Sequence, residues 1–506
     1  MKRSDRLLLI LIVAVYLLVG GLYAIYTPAW QAPDEPAHYN YVRFLADHGR
    51  LPELHPGDYP AAYLEQIKSA RFPADMPIDS IRYESWQPPL YYILAAPIYR
   101  LTSGALIPLR LLSVVLGAGL VVTAYALALT VRPGDTPLAL GTAAFVAFVP
   151  MHLTMTASVN NDTLAELLLA LVMLRLMRWV RGAAGQGKST PRPYSLVITG
   201  LLLGLGLVTK ATVYAVAIPL TLVALWLYER RPALLARRTL AVFGPALLLA
   251  TPWYVRNVTL YGWPDLLGKR NHDAIVVGQL RTADYLGQVG WAAYLGDFAT
   301  TSFHSFWGQF GWMAVPMDGR VYLILGLLST LAVIGLVLGA RGCPPRPVGQ
   351  PRTGRRAGRG GMGTGGKEQG ERNGFILAGL WVIFTALFIY VYYNLSFVQF
   401  QGRYLFPALA PIGLFATLGL REILSRRQAW VGASLCCILA MGIGLNSALN
   451  SGLDKGGLLI AGGVAVALAA RHWLPARFDG WVLAAPSAGL AALSVYSLFA
   501  FIVPYL

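Results

Sequence analysis

Two adjacent carboxylates, Asp34 and Glu35, precede a proline in the string Pro33-Asp34-Glu35-Pro36-Ala37-His38-Tyr39. A carboxylate can accept a proton from an attacking hydroxyl group or bind a metal ion. Pro36 suits the first position of a helix, which predicts Glu35 as the N-cap and leaves Asp34 just outside. Adjacent side chains diverge on a helix, so one carboxylate could react while the other caps or coordinates. An ordinary helix start at a lipid interface is the alternative interpretation.

Other polar groups lie where apolar segments of the chain begin or end. They occur in four short strings: Asn160-Asn161-Asp162, Thr209-Lys210, Arg256-Asn257 and Gln401-Gly402-Arg403-Tyr404. Each string alone could be a turn, a helix cap or an interfacial anchor. Together, the cations Lys210, Arg256 and Arg403 could hold a bound phosphate.

A fifth string, Glu84-Ser85-Trp86-Gln87-Pro88-Pro89-Leu90-Tyr91-Tyr92, leads into an apolar stretch that ends at Leu101. Paired prolines cannot lie inside a helix, so this string predicts an elbow with tyrosines near the lipid headgroups. Glu84 and Gln87 are its candidates for contact with a ligand.

The acids and the cations together indicate one class of reaction. A base among Asp34, Glu35 and Asp162 could take a proton from an attacking hydroxyl, while the three cations hold a departing phosphate. Glycosyl transfer from a lipid-linked phosphosugar requires both elements. The isoprenoid tail of such a donor would lie in the bilayer, which predicts a catalyst built from membrane helices.

The composition indicates the same architecture. The 506 residues are 56% hydrophobic and 13% charged, whereas ordinary globular chains carry about 25% charged residues. Spanning a bilayer takes about 20 mostly apolar residues. About thirteen segments meet this description, near 7–26, 107–130, 138–157, 163–180, 195–209, 211–228, 239–257, 321–340, 375–393, 404–420, 429–447, 457–470 and 481–503.

The net charge of +17 is best explained as a marker of topology. With the N-terminus in the cytoplasm, the inner segments hold 26 of the 41 Lys and Arg residues, as expected for cytoplasmic loops. Two long segments, 27–106 and 258–320, then lie outside, together with all the candidate site residues. Segment 341–374 is rich in Gly and Arg and predicts a flexible inner linker.

Several other classes of protein are excluded. The sequence contains no G-x-x-x-x-G-K-[ST], no H-E-x-x-H and no G-x-S-x-G motif, so nucleotide-hydrolase, zincin and serine-hydrolase functions have no support. Three cysteines cannot form a disulfide framework. The basic residues are spread through inner loops, so we predict no binding of nucleic acid.

The sequence resembles the GT-C superfamily of polytopic glycosyltransferases, which includes protein O-mannosyltransferases and aminoarabinose transferases of lipid A. It also resembles an uncharacterised bacterial family of membrane proteins with the same acidic-Pro-Ala-His opening. The strings that carry the resemblance are the one around Asp34, the one around Gln87, Thr251-Pro252-Trp253-Tyr254-Val255-Arg256-Asn257 and Gln401-Gly402-Arg403-Tyr404-Leu405-Phe406-Pro407. The resemblance covers about residues 1–425, and the helices of 426–506 carry no motif.

The resemblance implies specific roles for these residues. Asp34 takes the place of the general base, Glu35 belongs to the same acidic pair, and Asp162 takes the place of a second acid that positions the acceptor or a divalent ion. Four polar residues are expected to position the acceptor or the rest of the substrate: His38, Gln87, Asn161 and Gln401. Lys210, Arg256 and Arg403 would contact the donor phosphate. Some members have His where Gln87 stands, which argues against a protein-mannosylating role.

A divalent ion, Mg²⁺ or Mn²⁺, could bind Asp34, Glu35 or Asp162, or cationic side chains could stabilise the leaving group alone. No other cofactor is expected, and the sequence identifies no protein partner. We predict a location in the plasma (inner) membrane of a bacterium, in contact with membrane lipids.

The prediction is therefore an all-α, polytopic bundle of transmembrane helices whose outer loops carry short interfacial helices. It would transfer a sugar from a polyprenyl-phosphate donor to an extracytoplasmic acceptor in the cell envelope: a glycan, a lipid or a protein. A lipid or glycan transporter or flippase, or a non-catalytic envelope-assembly protein with the same fold, is the alternative.

Overall fold

The computed structural model describes residues 3–185, 193–341, 364–449 and 454–506, which are almost entirely helical. The helices are α1 (Arg3–Tyr26), α2 (Glu35–His48), α3 (Ala61–Ser69), α4 (Leu90–Leu101), α5 (Leu106–Val131), α6 (Thr136–Phe148), α7 (Pro150–Thr156), α8 (Asp162–Gly185), α9 (Pro193–Leu207), α10 (Thr212–Tyr228), α11 (Pro232–Tyr261), α12 (Lys269–Ile275), α13 (Thr282–Trp307), α14 (Gly319–Arg341), α15 (Thr364–Thr385), α16 (Tyr392–Asn394), α17 (Leu409–Ile423), α18 (Ala429–Leu449), α19 (Lys455–Ala470), α20 (Asp479–Ser497) and α21 (Val503–Tyr505).

Short elements connect these helices. Three 3₁₀ turns span Tyr83–Trp86, Gly402–Ala408 and Ala476–Phe478, and two π-helical turns span Ala386–Val391 and Leu498–Ile502. Strands β1 (Gln309–Phe310) and β2 (Val315–Pro316) form an antiparallel pair.

The predicted bundle of membrane helices is confirmed. Each of the thirteen predicted segments falls on a helix or a helix pair. Among the described residues, eight helices are long and apolar enough to cross a membrane, or nine if the bent pair α6–α7 is one span. The protein is therefore a multi-pass membrane protein.

The predicted inner linker, 341–374, lies partly outside the described residues. Residues 342–363 are not described, and α15 begins at Thr364. The last part of the predicted linker is therefore helical.

Close packing of helix backbones builds the bundle. At the crossing of α14 and α17, an added Cβ at Gly335 would lie 1.9 Å from the carbonyl oxygen of Gly419. Only glycine permits so close an approach, and small residues commonly serve this purpose between membrane helices. The crossing holds α17 in place, and the turn Gly402–Ala408 leads directly into α17.

The span formed by α6 and α7 bends by 65° between Phe148 and Pro150. Proline cannot continue the hydrogen bonding of a preceding helix, which explains the break at this position. All seven residues of α7 are buried. The bend and the short connection after α7 direct the start of α8, with Asn161 and Asp162, toward α2.

The two long segments predicted to lie outside, 27–106 and 258–320, pack against each other. Ala37, Ile67 and Tyr83 from the first segment share a small apolar core with Val276 from the second. The Trp312 indole donates a hydrogen bond of 2.9 Å to the carbonyl of Trp30. These two segments therefore form one cover over the end of the bundle where α2 begins.

Candidate functional site

Asp34 lies at the entrance of α2, one residue from the position that the sequence analysis assigned. Asp34, not Glu35, is the N-cap, and its backbone is left-handed with φ of 68°. Its Oδ1 accepts a hydrogen bond of 2.7 Å from the Tyr83 hydroxyl, and its Oδ2 accepts one of 2.9 Å from Arg403. Burial alone would raise the pKa of Asp34, but Arg403, His38 and the Tyr83 hydrogen bond together outweigh burial, so the pKa lies below its usual value.

Arg403 is oriented by several contacts besides Asp34. Its Nε donates to Oε1 of Gln401 over 2.6 Å, and a terminal nitrogen lies 3.6 Å from the sulfur of Met155. The preceding residue, Gly402, packs directly on α13, where an added Cβ would lie 2.2 Å from the carbonyl oxygen of Ser302. Gln401 therefore positions the guanidinium in this structure.

A second acid–cation pair joins the starts of α8 and α10. The Lys210 ammonium lies 2.7 Å from Asp162 and donates to Oδ1 of Asn161 over 3.0 Å. The Asn161 amide in turn donates to Gln87 over 3.2 Å and to the carbonyl of Thr209 over 2.9 Å. Gln87 and Asn161 thus hold the lysine in place.

His38 connects the two pairs. Its Nδ1 lies 2.8 Å from the Tyr92 hydroxyl, and its ring is buried. Burial is the main reason why the pKa of His38 falls to about 3. The cations Lys210 and Arg403 lower this pKa further, and the carboxylates Asp34 and Asp162 oppose them. All four charges therefore act on a single neutral imidazole, and the two pairs belong to one cluster.

Glu35 has a different environment from the one predicted for a catalytic carboxylate. It is fully buried and forms a two-point salt bridge to Arg110, with bonds of 2.8 and 2.6 Å. The backbone N–H groups of Trp30 and Val159 also donate to its two oxygens. A carboxylate bonded at both oxygens and enclosed by protein favours a structural role, so we remove Glu35 from the catalytic group.

Arg110 is the structural partner of Glu35 and was not among the residues selected from the sequence. It also donates to the carbonyl oxygens of Ala24, Thr27 and Pro28. The available signal was an arginine close to the start of an otherwise apolar helix, where burial of a charge is costly.

Arg256 does not join the cluster. Its guanidinium donates to the carbonyl of Pro52 and to the side chain of Asn257, and it lies over the Trp253 ring at 4.9 Å. Within the described ranges, no hydrogen bond or ion pair links Arg256 to Asp34, Asp162 or Arg403. Arg256 lies at the edge of the cluster. Its charge acts on Tyr41, and the Tyr41 ring stacks on the Tyr92 ring with the ring centroids 3.6 Å apart.

Glu84, which the sequence indicated only as a candidate for contact with a ligand, is an acid that belongs to the cluster. Burial, followed by the charge of Asp34, raises its pKa to about 7. Lys210 and Asp162 also act on it. The adjacent Tyr83, which bonds Asp34, could not be recognised as a partner from sequence because the two residues are 49 positions apart.

The carboxylates do not form the donor set of a metal site. Asp34, Glu35 and Asp162 are each paired with a different cation: Arg403, Arg110 and Lys210. In the part of the chain that the structure describes, no three His, Cys, Asp or Glu side chains form a group that could hold a metal ion. The residues present therefore do not fit the divalent ion considered from sequence.

An apolar cavity of about 490 Å³ borders the turn that carries Arg403. Its lining comes mainly from α13, α14 and α17 and is apolar except for Ser302 and Ser329. Leu405 lines it, two residues after Arg403, and Ser302 lies against Gly402. The turn that carries Arg403 therefore forms part of the cavity wall through Leu405.

Comparison with known proteins identifies the fold. Residues 62–412 match the model of the family described as predicted membrane protein (DUF2142). No curated protein sequence matches the chain. ArnT from Cupriavidus metallidurans in the apo state superposes with a TM-score of 0.54 at 16% identity, over 97% of this chain and 76% of that chain. ArnT bound to undecaprenyl phosphate gives 0.51, at 17% identity over 97% and 75%.

The oligosaccharyltransferase of Archaeoglobus fulgidus gives a TM-score of 0.49 at 12% identity, over 96% of this chain and 55% of that chain. ArnT is a GT-C glycosyltransferase. The chain belongs to the DUF2142 family of membrane proteins and has the fold of the GT-C glycosyltransferases.

Proposed function

We propose that the protein transfers a sugar from a polyprenyl-phosphate carrier to an acceptor on the extracytoplasmic side of the membrane. One observation carries this proposal: two cations, Lys210 and Arg403, lie in one partly buried cluster with acids, and the turn that carries Arg403 also lines an apolar cavity of about 490 Å³. The cations would bind the phosphate group of the donor, and the cavity would hold its isoprenoid tail. ArnT, which has the same fold, binds undecaprenyl phosphate.

Both cations keep hydrogen-bond donors for a phosphate. Lys210 bonds Asp162 and Asn161, and an ammonium has a third N–H. Arg403 contacts Asp34, Gln401 and Met155, and a guanidinium has five N–H groups. The carboxylates hold the cations in place before the donor arrives, so little reorganisation is needed when the phosphate binds.

The proposed reaction is a single displacement with inversion at the anomeric carbon. The acceptor atom forms a bond to this carbon, and the bond between the carbon and the phosphate oxygen breaks. The electron pair leaves with the polyprenyl phosphate, whose growing charge Lys210 and Arg403 stabilise. A carboxylate of the cluster takes the proton of the acceptor, and Asp34 is the base that the sequence analysis predicts.

Transfer of radiolabel tests this proposal. The purified full-length protein, in lipid nanodiscs, would be incubated with a panel of labelled polyprenyl-phosphate sugars and an extract of cell-envelope acceptors. We expect label on an acceptor with wild-type protein and much less with Arg403→Ala. Movement of intact labelled lipid between the leaflets of vesicles, without transfer, would favour a flippase instead. Binding of the donor without transfer or movement would favour an assembly protein.

A further inference from the structure

One oxygen of the Glu84 carboxyl group lies in the candidate site without a partner, although the Gln87 side chain bonds the carboxyl group. Glu84 belongs to the turn Tyr83–Trp86 and follows the tyrosine that donates to Asp34. Its Oε2 is buried and accepts no hydrogen bond from any described residue. The other two carboxylates of the cluster, Asp34 and Asp162, are each bound to a cation. A buried polar atom without a partner is costly, so its retention in a charged cluster indicates a functional use.

Titratable groups from several elements face Glu84. They are Asp34 before α2, Tyr83 on the same turn, Tyr92 on α4, Asp162 on α8, Lys210 before α10 and Tyr393 on α16. The two aspartates disfavour a charge on Glu84, and Lys210 favours it. With burial as the largest cause, the result is a pKa of about 7.

We propose that Glu84 is the group that accepts the proton of the acceptor, while Asp34 orients Arg403 and Tyr83. This inference rests on the proposed function. Both oxygens of Asp34 already accept hydrogen bonds, so it has little capacity to receive a proton from a substrate. Glu84 has a free oxygen, and a base is most effective when its pKa is near the working pH.

The step is balanced without any further reactant. The acceptor atom bonds to the anomeric carbon, the phosphate leaves with the electron pair of the broken bond, and the acceptor proton passes to a Glu84 oxygen. Glu84 then releases this proton to water after the product leaves. At a pH below its pKa, Glu84 already carries a proton and cannot accept another, so the rate falls on the acidic side.

The pH profile of kcat/KM in the full-length protein tests this inference. We expect the wild-type rate to fall below about pH 7, as the ionised form of Glu84 is lost. Glu84→Gln keeps the size of the side chain but removes the base, and should lower kcat/KM by about 10²–10⁴-fold and abolish this acidic limb. Asp34→Asn should be slower and should keep the limb, moved to lower pH because the charge that raises the pKa of Glu84 is lost.

Glu65→Gln is the matched control, because Glu65 lies exposed on α3 in the same segment of the chain. It should keep both the rate and the limb. Binding of a short-chain polyprenyl phosphate by Glu84→Gln would establish that this variant is folded. If Glu84→Gln kept the wild-type fall in kcat/KM at acidic pH, or if only Asp34→Asn lost it, the role of Glu84 would be wrong and the proposed function would stand. A wild-type protein that transfers no sugar from any donor would overturn the proposed function as well.

Discussion

Arg403 donates a hydrogen bond of 2.9 Å to the carboxylate of Asp34, although 369 positions of the chain separate the two residues. This ion pair joins the start of α2 to the turn that precedes α17. It brings the first acidic string and the last basic string of the sequence into one site. Each of the following predictions depends on this site or on the elements that hold it.

Replacing Asp34 with Asn removes the charge that orients Arg403. A hydrogen bond to a charged group contributes about 1.5–3 kcal/mol, so we expect transfer to slow by about 10- to 150-fold. The initial rate of transfer measures this effect. Asp79→Asn, which changes an exposed aspartate paired with Arg43, is the control and should keep the wild-type rate. Full activity in Asp34→Asn would contradict the role given to the ion pair.

Replacing Arg403 with Ala should weaken binding of a short-chain polyprenyl phosphate by about tenfold or more, because a charge-assisted contact is lost. Titration of the purified variant gives the Kd. Arg256→Ala should leave the Kd unchanged, because its guanidinium contacts Pro52 and Trp253 instead of the cluster. If Arg256→Ala raised the Kd more than Arg403→Ala did, Arg256 and not Arg403 would be the contact to the donor phosphate.

Filling the apolar cavity should weaken binding of the lipid tail without changing binding of the phosphate group. Ala416→Phe adds a ring on the cavity wall formed by α17. We expect weaker binding of long-chain polyprenyl phosphate and unchanged binding of a short-chain analogue. Leu248→Phe, on an exposed face of α11, is the control. Equal binding of both chain lengths by Ala416→Phe and the wild-type protein would mean that the tail lies elsewhere.

Breaking the Glu35–Arg110 pair should destabilise the fold. Both side chains are almost completely buried, and loss of one partner leaves an uncompensated charge that costs about 3–5 kcal/mol. Arg110→Ala should therefore lower the Tm in detergent strongly. Arg43→Ala breaks an exposed pair and should cost about 1 kcal/mol or less. Similar Tm values for the two variants would contradict this account.

The buried imidazole of His38 should make stability depend on pH. Its pKa falls from 6.5 to about 3 in the folded protein, so the unfolded chain binds the extra proton between these values. The His38 contribution to folding is fully present above about pH 6.5 and decreases as the pH falls toward 3. His38→Gln should flatten this part of the profile of unfolding free energy. His48→Gln, at the exposed end of the same helix, should leave it unchanged.

The fold could be predicted largely from the local sequence. Apolar runs of sufficient length identified the helices because the hydrophobic requirement of a bilayer acts on each segment separately. The bend between α6 and α7 is also encoded locally, by Pro150, but the hydropathy of residues 138–157 conceals it. The helix begins one residue earlier than predicted: Glu35 already lies in α2, and Asp34, with a left-handed backbone and no side-chain cap bond, precedes it.

The site could be predicted only in part. The strings contain the reactive side-chain types, and Asp34, Asp162, Lys210 and Arg403 do converge. Which acid faces which cation depends on tertiary packing, and a string gives no information about it. Glu35 was therefore grouped with its neighbour although Arg110 binds it, and Glu84 was recognised as a candidate for ligand contact but not as a neighbour of Asp34.

The contacts of Arg110 also constrain the order of assembly during synthesis. This one side chain, at the start of α5, ties the end of α1, the start of α2 and, through Glu35, the backbone at Val159. A ribosome-bound chain that stops before residue 110 lacks the group that fixes α2, and one that stops before residue 159 lacks the final donor. Asp34 also depends on Arg403, so the carboxylates of the cluster reach the positions described here only after residue 403 has been synthesised.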